Sequence, residues 1–411
     1  MNRRILAFLM LVSSIGFPSL LRAQEPEKSE PSPLQDPFEF KFRNGASLKL
    51  YGRFEMLTYY DTTSPAVSDW LVYVNPKGTI AGDEDSISMS VRGSPFGLAF
   101  TKPAFVGTAA LNAKLEMDFV GGFTTGANSA YSPLVRLKQA WFSLNGEHLG
   151  VLVGQTFGVF GPLFPDIGSW ITLGTSGNPW IRLPQIRFTA DYAPVKLELS
   201  VDRPMGANEI RANSIDDIIS DGEQSNVPFM MGRLGFSKKA GSIALDTGAS
   251  GVYGREKIRR SDPTAGISVD KTLPVWMGVY DLLVSSKYVD FKGEFFAGSN
   301  VNSFYAGVYQ GVNISATSAT AIKTMGGWGQ ITLKPVESWY FNFGAGIDNP
   351  WNSDLAAGTQ RSSNFTGYAN ANYRVTPTLV VMAEPSYTRT GYKDGTTNDN
   401  IRALLKTTLS F

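Results

Sequence analysis

The residues best placed for chemistry are lysines and arginines that recur at every second position within alternating segments. Seven of them lie in the first half of the chain: Lys49, Arg53, Arg92, Arg136, Lys138, Arg182 and Arg187. A guanidinium group is always charged and can hold a carboxylate through two parallel hydrogen bonds. If these groups converge, they favour small anions. Glu55, Glu116 and Asp118 share the same alternating phase, so a mixed-charge surface is the alternative.

The other reactive side chains form no recognisable catalytic or metal-binding motif. The single histidine, His148, lies beside Glu147 in the turn "NGEHLG", where we expect a surface residue. Acidic runs at 82–85, 216–224 and 394–400 offer oxygen ligands for Ca²⁺ but lack EF-hand spacing. The chain has no cysteine, phosphate-binding loop, zinc-helix motif or Gly-x-Ser-x-Gly turn. We therefore predict no catalytic residue, no metal and no cofactor.

The elements that must position the basic residues alternate apolar and polar side chains over about ten residues. In "SLKLYGRFEMLTYYD" (47–61), one face is apolar and the opposite face carries Lys49, Arg53 and Glu55. The same split recurs in "ALNAKLEMDF" (110–119). Because a charged face cannot meet lipid, this pattern is typical of membrane strands with lipid on one side and water on the other.

Sixteen such segments predict an all-β protein, a 16-stranded antiparallel transmembrane β-barrel. They span 47–61, 85–101, 107–120, 133–145, 149–157, 185–193, 195–203, 228–238, 241–254, 275–285, 288–300, 324–334, 339–348, 363–374, 378–389 and 399–411. Short turns such as "NGEH" and "YAP" separate long connections at 62–84, 158–184, 204–227, 255–274, 301–323 and 349–362. This rhythm predicts short periplasmic turns and long extracellular loops.

The fourth segment, "VRLKQAWFSL" (135–144), fits two phases. Arg136 and Lys138 alternate with Leu137 and Gln139, so either phase turns a polar or charged residue outward. Since a charge costs more in lipid than an amide does, we expect Arg136 and Lys138 inside and Gln139 on the outer face, where a subunit contact would tolerate it.

The connection after the fifth segment, 158–185, is too apolar for a loop in solvent. Sixteen strands enclose a water-filled lumen, so folding this connection inward buries its aromatics and narrows the lumen. We predict a constriction loop that carries Arg182 beside Phe160, Phe164, Asp166, Trp170 and Trp180. Packing against neighbouring loops or a partner subunit is the alternative.

The two ends of the chain resemble export and assembly signals. Residues 1–23 join two early arginines, an apolar stretch and a small final residue, which is typical of a cleaved secretory signal. Residues 24–46 start Pro- and Glu-rich and are expected to form a flexible leader before the barrel at 47–411. The final strand ends on Phe411, and such an ending resembles the signal read by the outer-membrane insertion machinery.

Composition excludes two further classes. Hydrophobic residues make up 43% of the chain, and no stretch after residue 23 reaches the 18 or so apolar residues of a membrane helix. The chain has 37 basic and 36 acidic residues, and this balance argues against a nucleic-acid partner.

Six motifs follow one another along the chain: "YGRFEM" (51–56), "LEMDF" (115–119), "VRLKQAWFSL" (135–144), "LVGQTFGVF" (152–160), "PWIRLPQIRFT" (179–189) and "VPFMMGRLGF" (227–236). In this order they resemble the DcaP-like trimeric outer-membrane porins of the Gram-negative porin superfamily. The resemblance implies a homotrimer in the outer membrane of a Gram-negative bacterium, in contact with lipid and lipopolysaccharide. It also implies passage of small anions, dicarboxylates among them, through a constriction lined by Arg136, Arg182 and Arg187.

Two functions remain open on the sequence. The first is a porin for passive diffusion of small hydrophilic solutes, with a preference for small anions. The second is a barrel plugged by its loops that acts as an adhesin or receptor through 204–227, 255–274 and 301–323. An enzyme is not expected.

Overall fold

The computed structural model describes residues 38–65, 69–122, 133–206, 220–262 and 266–411. The predicted signal (1–23) and most of the predicted leader lie outside these residues. Within them, sixteen antiparallel strands form one sheet that closes on itself, which confirms the predicted barrel.

The barrel strands are numbered β1 to β16. Their bounds are β1 Ser47–Asp61, β2 in two parts Ser86–Ser90 and Phe96–Val106, β3 Ala109–Asp118, β4 Arg136–Asn145, β5 Leu149–Phe157, β6 Arg182–Tyr192, β7 Val195–Asp202, β8 Phe229–Ala240, β9 Ile243–Asp262, β10 Ile267–Ser285, β11 Val289–Ser299, β12 Lys323–Val336, β13 Trp339–Pro350, β14 Arg361–Arg374, β15 Leu379–Tyr392 and β16 Thr397–Ser410.

Closure occurs where the first strand meets the last. β1 pairs with β16 from Arg53↔Ser410 to Asp61↔Arg402, and its other edge pairs with both parts of β2. Beyond the strand, the backbone of Phe411 exchanges hydrogen bonds of 3.0 and 3.1 Å with Gly52. The Phe411 ring packs against Phe38 and Phe54, with centroids 5.6 and 5.5 Å away. The terminal aromatic therefore seals the periplasmic end of the seam.

The two faces of the wall differ in chemistry, as the alternation predicts. The outer face exposes large apolar side chains such as Phe54, Leu98, Phe142, Ile186, Leu199, Leu234, Phe291, Ile331, Phe343, Ile401 and Leu409. The inner face buries polar and charged groups such as Glu55, Glu116, Glu198, Arg233, Asp281, Glu294, Gln330, Asn342, Asn370, Glu384 and Arg402. An apolar exterior around a polar interior is the arrangement of a barrel that spans lipid and encloses water.

The connections include few other elements. A one-turn helix α1 (Ile80–Asp83) begins at the N-cap Thr79, and short 3-10 turns lie at Glu223–Ser225, Asn302–Phe304, Gly307–Tyr309 and Asn352–Asp354. A short strand Glu39–Lys41 pairs with the start of β1, and Val312–Ile314 pairs with Ala319–Ala321 as a small hairpin. In the described part of the chain, no helix has the length and apolar character needed to cross a membrane.

Three predicted boundaries are wrong. The segment 255–274 is not a loop, because β9 continues to Asp262 and β10 starts at Ile267. The sequence did not predict strands there because both faces carry polar residues, so apolar and polar side chains do not alternate. The segment 85–101 is interrupted, because residues 91–95 leave the sheet between the two parts of β2. Arg182 is the first residue of β6 and not part of the preceding loop.

Neighbouring residues of β6 test the assignment of the two faces. Phe188 is on the lipid face, whereas Thr189 faces the lumen opposite Glu198. We expect Phe188→Arg to lower the free energy of unfolding by about 2–4 kcal/mol, because arginine would then sit in hydrocarbon. Thr189→Arg is the matched control and is expected to change it little. Denaturant titration in lipid vesicles measures both; equal losses would contradict the assignment.

Candidate functional site

Residues 158–181, the constriction loop, leave the wall after β5 and return to it at β6. Between these points the chain crosses the lumen and contacts strands on the far side of the barrel. Tight backbone turns fold it there, with Thr172, Leu173 and Thr175 at positive φ. The prediction that this connection folds inward agrees with the path observed.

Buried side chains of the far wall hold the backbone of the constriction loop. Glu294 on β11 accepts a 2.8 Å hydrogen bond from the Leu163 amide, and Gln330 on β12 accepts one of 2.7 Å from the Asp166 amide. Glu384 on β15 accepts a 2.8 Å bond from the Gly168 amide. Unmatched backbone amides are costly to bury, so these acceptors fix the course of the loop.

The indole of Trp170 anchors the loop at the barrel seam. Its Nε1 donates a 2.9 Å hydrogen bond to Glu55 Oε2 on β1. A Cβ on Gly93, in the interruption of β2, would stand 2.0 Å from the Trp170 ring. Glycine at this position is therefore required for the ring to reach the wall.

The far end of the loop lies directly on the sheet. Gly177 has φ of +98°, and a Cβ there would stand 2.1 Å from the carbonyl oxygen of Gly327 on β12. Only glycine allows both this conformation and this approach. The loop is therefore packed against the wall as part of the structure.

The aromatic residues of the loop divide between two sides. Phe160 is buried in an apolar cluster with Phe304 and with inner-face residues of β8 to β11. Phe164 packs against Phe157, with centroids 5.3 Å apart, and Trp180 stacks on Tyr305 at 4.7 Å. Burial raises the pKa of Tyr305.

Between the constriction loop and the wall formed by β13 to β16 and β1 to β6 lies a cavity of about 540 Å³. Its charged lining consists of five cations and three carboxylates: Arg53, Arg136, Lys138, Arg182 and Lys406 against Glu55, Asp118 and Asp166. Phe157, Phe164, Trp170, Trp180, Tyr340 and Asn372 contribute to the same lining. The cavity beside the constriction loop therefore carries an excess of positive charge.

Four of the five cations are paired with carboxylates. Arg136 makes two hydrogen bonds to Asp118, of 3.1 and 2.7 Å. Lys138 lies 3.2 Å from Glu116. Glu55 is shared, because Arg53 Nε lies 2.6 Å and Lys406 Nζ lies 3.0 Å from its Oε1. These pairs hold the charged ends in place and reduce their net charge.

Arg182 is held differently. Its guanidinium lies over the rings of Phe157 and Trp180, 5.2 and 5.1 Å from their centroids. Among the described residues it forms no ion pair within 4.0 Å and no side-chain hydrogen bond. The rings fix its plane without using its donors, so its hydrogen-bonding fork remains available to a solute.

A β-bulge resolves the two phases of β4. Glu116 pairs with Gln139 and Met117 with Leu137, so Lys138 has no opposite residue. Arg136, Lys138 and Gln139 consequently all face the lumen. The outward orientation expected for Gln139 is wrong: its side chain is buried, and its Oε1 accepts a 2.9 Å hydrogen bond from Thr156.

Three predicted lining residues lie away from this cavity. Arg92 is buried in the interruption of β2 and pairs with Asp69. Arg187 is on the lumen wall but pairs with Glu198 at 3.4 Å outside the constriction. Lys49 lies near the start of β1, four residues and thus two steps of the alternation before Arg53. Arg53, Arg136, Lys138, Arg182, Phe164, Asp166, Trp170 and Trp180 do meet at the cavity, and Phe160 does not.

Other lining residues were not singled out from the sequence. Lys406 faces inward by alternation, but its place beside Glu55 depends on the seam between β1 and β16. Tyr340 and Asn372 come from β13 and β14 and have no local signal. Asp166 is linked to Lys292 on β11 at 2.9 Å, so its charge is shared with the far wall.

The geometry gives little support to catalysis by His148 or to metal binding by the acidic runs. His148 lies in the periplasmic turn, where its ring stacks on Tyr192 at 4.5 Å. Within the described residues, no group of three or more His, Asp or Glu side chains is arranged to hold a metal ion. Part of the acidic run 216–224 lies outside those residues.

A sixteen-stranded barrel with an inward-folded loop after β5 is the architecture of a porin, a multi-pass protein of the Gram-negative outer membrane. The same fold is found in the outer membrane channel DcaP of Acinetobacter baumannii, with a TM-score of 0.71 at 18% identity over 90% of this chain and 99% of that one. This agrees with the resemblance seen in the motifs. No family model and no curated protein matches the sequence.

Two more distant porins share the fold. The anion-selective porin from Comamonas acidovorans has a TM-score of 0.53 at 11% identity, over 89% of this chain and 100% of that one. OmpF of Salmonella typhi, solved with daunomycin, has a TM-score of 0.55 at 12% identity, over 91% of this chain and 100% of that one. Both comparisons support the barrel fold.

The anchoring of the loop at the seam is testable. We expect Trp170→Ala to raise single-channel conductance in planar bilayers, because it removes both an indole from the cavity and the bond to Glu55. Trp276→Ala is the matched control, since Trp276 is on the outer face of β10. An unchanged conductance in the Trp170 variant would show that the indole does not narrow the pore.

Proposed function

We propose that this protein is an outer-membrane porin for passive diffusion of small hydrophilic solutes, with a preference for small anions such as dicarboxylates. The observation that carries the proposal is the cavity beside the constriction loop, where five cations meet three carboxylates. A water-filled passage lined in this way attracts anions and repels cations of similar size.

Arg182 is the main contact for an anion in this proposal. A solute carboxylate can approach its guanidinium without displacing a protein carboxylate, and it gains a charge-assisted, bidentate contact. Arg136 and Lys138 from β4 and Arg53 and Lys406 near the seam provide further positive charge. A second carboxylate on the same solute therefore has basic groups within the same cavity. Because the contacts are few and open to water, the solute can also leave.

The proposal includes three partners beyond the solute. The exposed apolar outer face contacts lipid and lipopolysaccharide, and the final strand ending at Phe411 engages the insertion machinery. We also propose a homotrimer, on the resemblance to trimeric porins. Three outward-facing glycines do not mark one interface, because Gly232 is on β8 and Gly327 and Gly329 are on β12, with β9 to β11 between them.

Ion selectivity tests the role of Arg182. We expect Arg182→Gln to reduce the anion-to-cation permeability ratio roughly fivefold, since one charge near a passing ion in water is worth about 1 kcal/mol. Reversal potentials across planar bilayers in a salt gradient measure the ratio. Arg187→Gln is the matched control, with the same change on the same strand but outside the constriction and beside Glu198. Equal effects of the two substitutions, or a cation preference of the native protein, would contradict the proposal.

Solute preference tests the substrate class. In liposome-swelling assays, we expect a dicarboxylate to enter faster than a neutral sugar of similar size. Arg182→Gln should reduce this difference, while Arg187→Gln should preserve it. If the sugar enters faster, the anion preference is contradicted and only the general diffusion function remains.

The adhesin or receptor alternative predicts a different outcome in the same recordings. A barrel plugged by its loops passes no steady current. A cavity of about 540 Å³ beside the constriction loop supports the channel over the plugged barrel. Steady open-channel current would therefore separate the two functions.

A further inference from the structure

β9 and β10 rise beyond their neighbours as a two-stranded ribbon. β8 accompanies β9 only as far as the pair Met230↔Tyr253, and β11 accompanies β10 only as far as Trp276↔Ser299. Above these pairs, the two strands remain bonded to each other up to Asp262↔Ile267. The ribbon is therefore on the extracellular side, clear of the barrel wall.

The outward face of β9 is uncharged up to the point where the ribbon begins. From Ile243 to Tyr253, the outward positions are uncharged, over a length that matches a membrane-spanning strand of 9–11 residues. Tyr253 and Trp276 form a cross-strand pair and are 41% and 42% exposed. Exposed Tyr and Trp mark the membrane interface. The membrane surface is therefore at this pair.

The next outward positions on the same strand are all basic. They are Arg255, Lys257 and Arg259, and their partners across the ribbon are Pro274, Thr272 and Asp270. We call these three residues the basic row. Because alternate residues of a strand are about 7 Å apart, the row extends upward from the membrane surface over about 14 Å.

The opposite face of the ribbon holds the basic row in position. Ile258 and Val269 are fully or nearly fully buried against Ala319 of the small hairpin. Arg260 pairs with Asp221, and the Lys257 amide donates a 2.8 Å bond to the Asp221 carbonyl oxygen. The ribbon is thus fixed on its inner side, so the basic row points away from the barrel axis.

The charge of the basic row is only partly compensated. Asp270 is shared, lying 3.2 Å from Arg259 and 3.8 Å from Lys257. Arg255 has no ion pair within 4.0 Å among the described residues. Elsewhere on the outer rim, Arg389 is matched one to one with Asp399 at 3.6 Å. The ribbon therefore presents net positive charge directly above the lipid-facing aromatics.

We propose that the basic row binds the phosphate groups of lipopolysaccharide in the outer leaflet. A lipid whose acyl chains cover the outer face of β9 and β10 places its phosphorylated sugars at the height where the row begins. Arginine and lysine then bind the phosphates through charge-assisted hydrogen bonds. The site rests on the membrane position of the barrel and is independent of what passes through the lumen.

The proposal is tested with lipid A as the probe, on the full-length protein in detergent, by native mass spectrometry. We expect the triple variant Arg255→Gln, Lys257→Gln, Arg259→Gln to bind bisphosphorylated lipid A at least roughly tenfold more weakly. Asp270→Asn should bind it more tightly, because it frees two cations. Dephosphorylated lipid A should bind all variants equally weakly.

The matched control removes three exposed lysines from the opposite end of the barrel: Lys238→Gln, Lys239→Gln and Lys287→Gln. It should bind lipid A like the native protein. Heat-modifiable migration and channel conductance verify folding. If the triple variant does not assemble, the two single variants still test the proposal. Arg255→Gln should weaken lipid A binding, and Asp270→Asn should strengthen it. Unchanged binding in the basic-row variants, or the same loss in the control, overturns the proposal.

Discussion

The structure depends on one constraint: hydrocarbon offers no hydrogen bonds, so every backbone donor and acceptor within the membrane needs a partner in the wall. A sheet meets this requirement only if it has no open edge. The pairing of β1 with β16 removes the last edge, and the backbone exchange between Gly52 and Phe411 extends it to the final residue. The alternation of apolar and polar side chains follows, because each strand then has one lipid face and one lumen face.

A closed wall of sixteen strands leaves an interior too wide for side chains to fill. The constriction loop occupies part of that space, and polar groups rather than an apolar core hold it. Glu294, Gln330 and Glu384 accept its backbone amides from the far wall. The same polar character that allows water into the lumen thus supplies the groups that narrow it. The charged lining beside the loop is a consequence of this arrangement.

The sequence predicts well the features that depend on neighbouring residues, and poorly those that depend on contacts between residues far apart in the chain. Alternation is a property of neighbouring residues, so the number of strands and the faces of Arg53 and Arg136 could be predicted. The bulge at Lys138 could not, because it is a register shift between two strands. The burial of Arg92 depends on Asp69, far from the strand pattern. The extension of β9 and β10 was missed because above the membrane neither face has to be apolar.

The position of Glu55 has a consequence for the order of events as the protein forms. This one carboxylate contacts Lys406 from the last strand and Trp170 from the middle of the chain. Gly168 likewise lies against Leu404 of β16. The constriction loop therefore makes all its contacts with β1 and β16 only after these two strands have paired. The loop can therefore narrow the channel fully only after the barrel has closed. A barrel in which β1 and β16 are not paired would have a wider lumen.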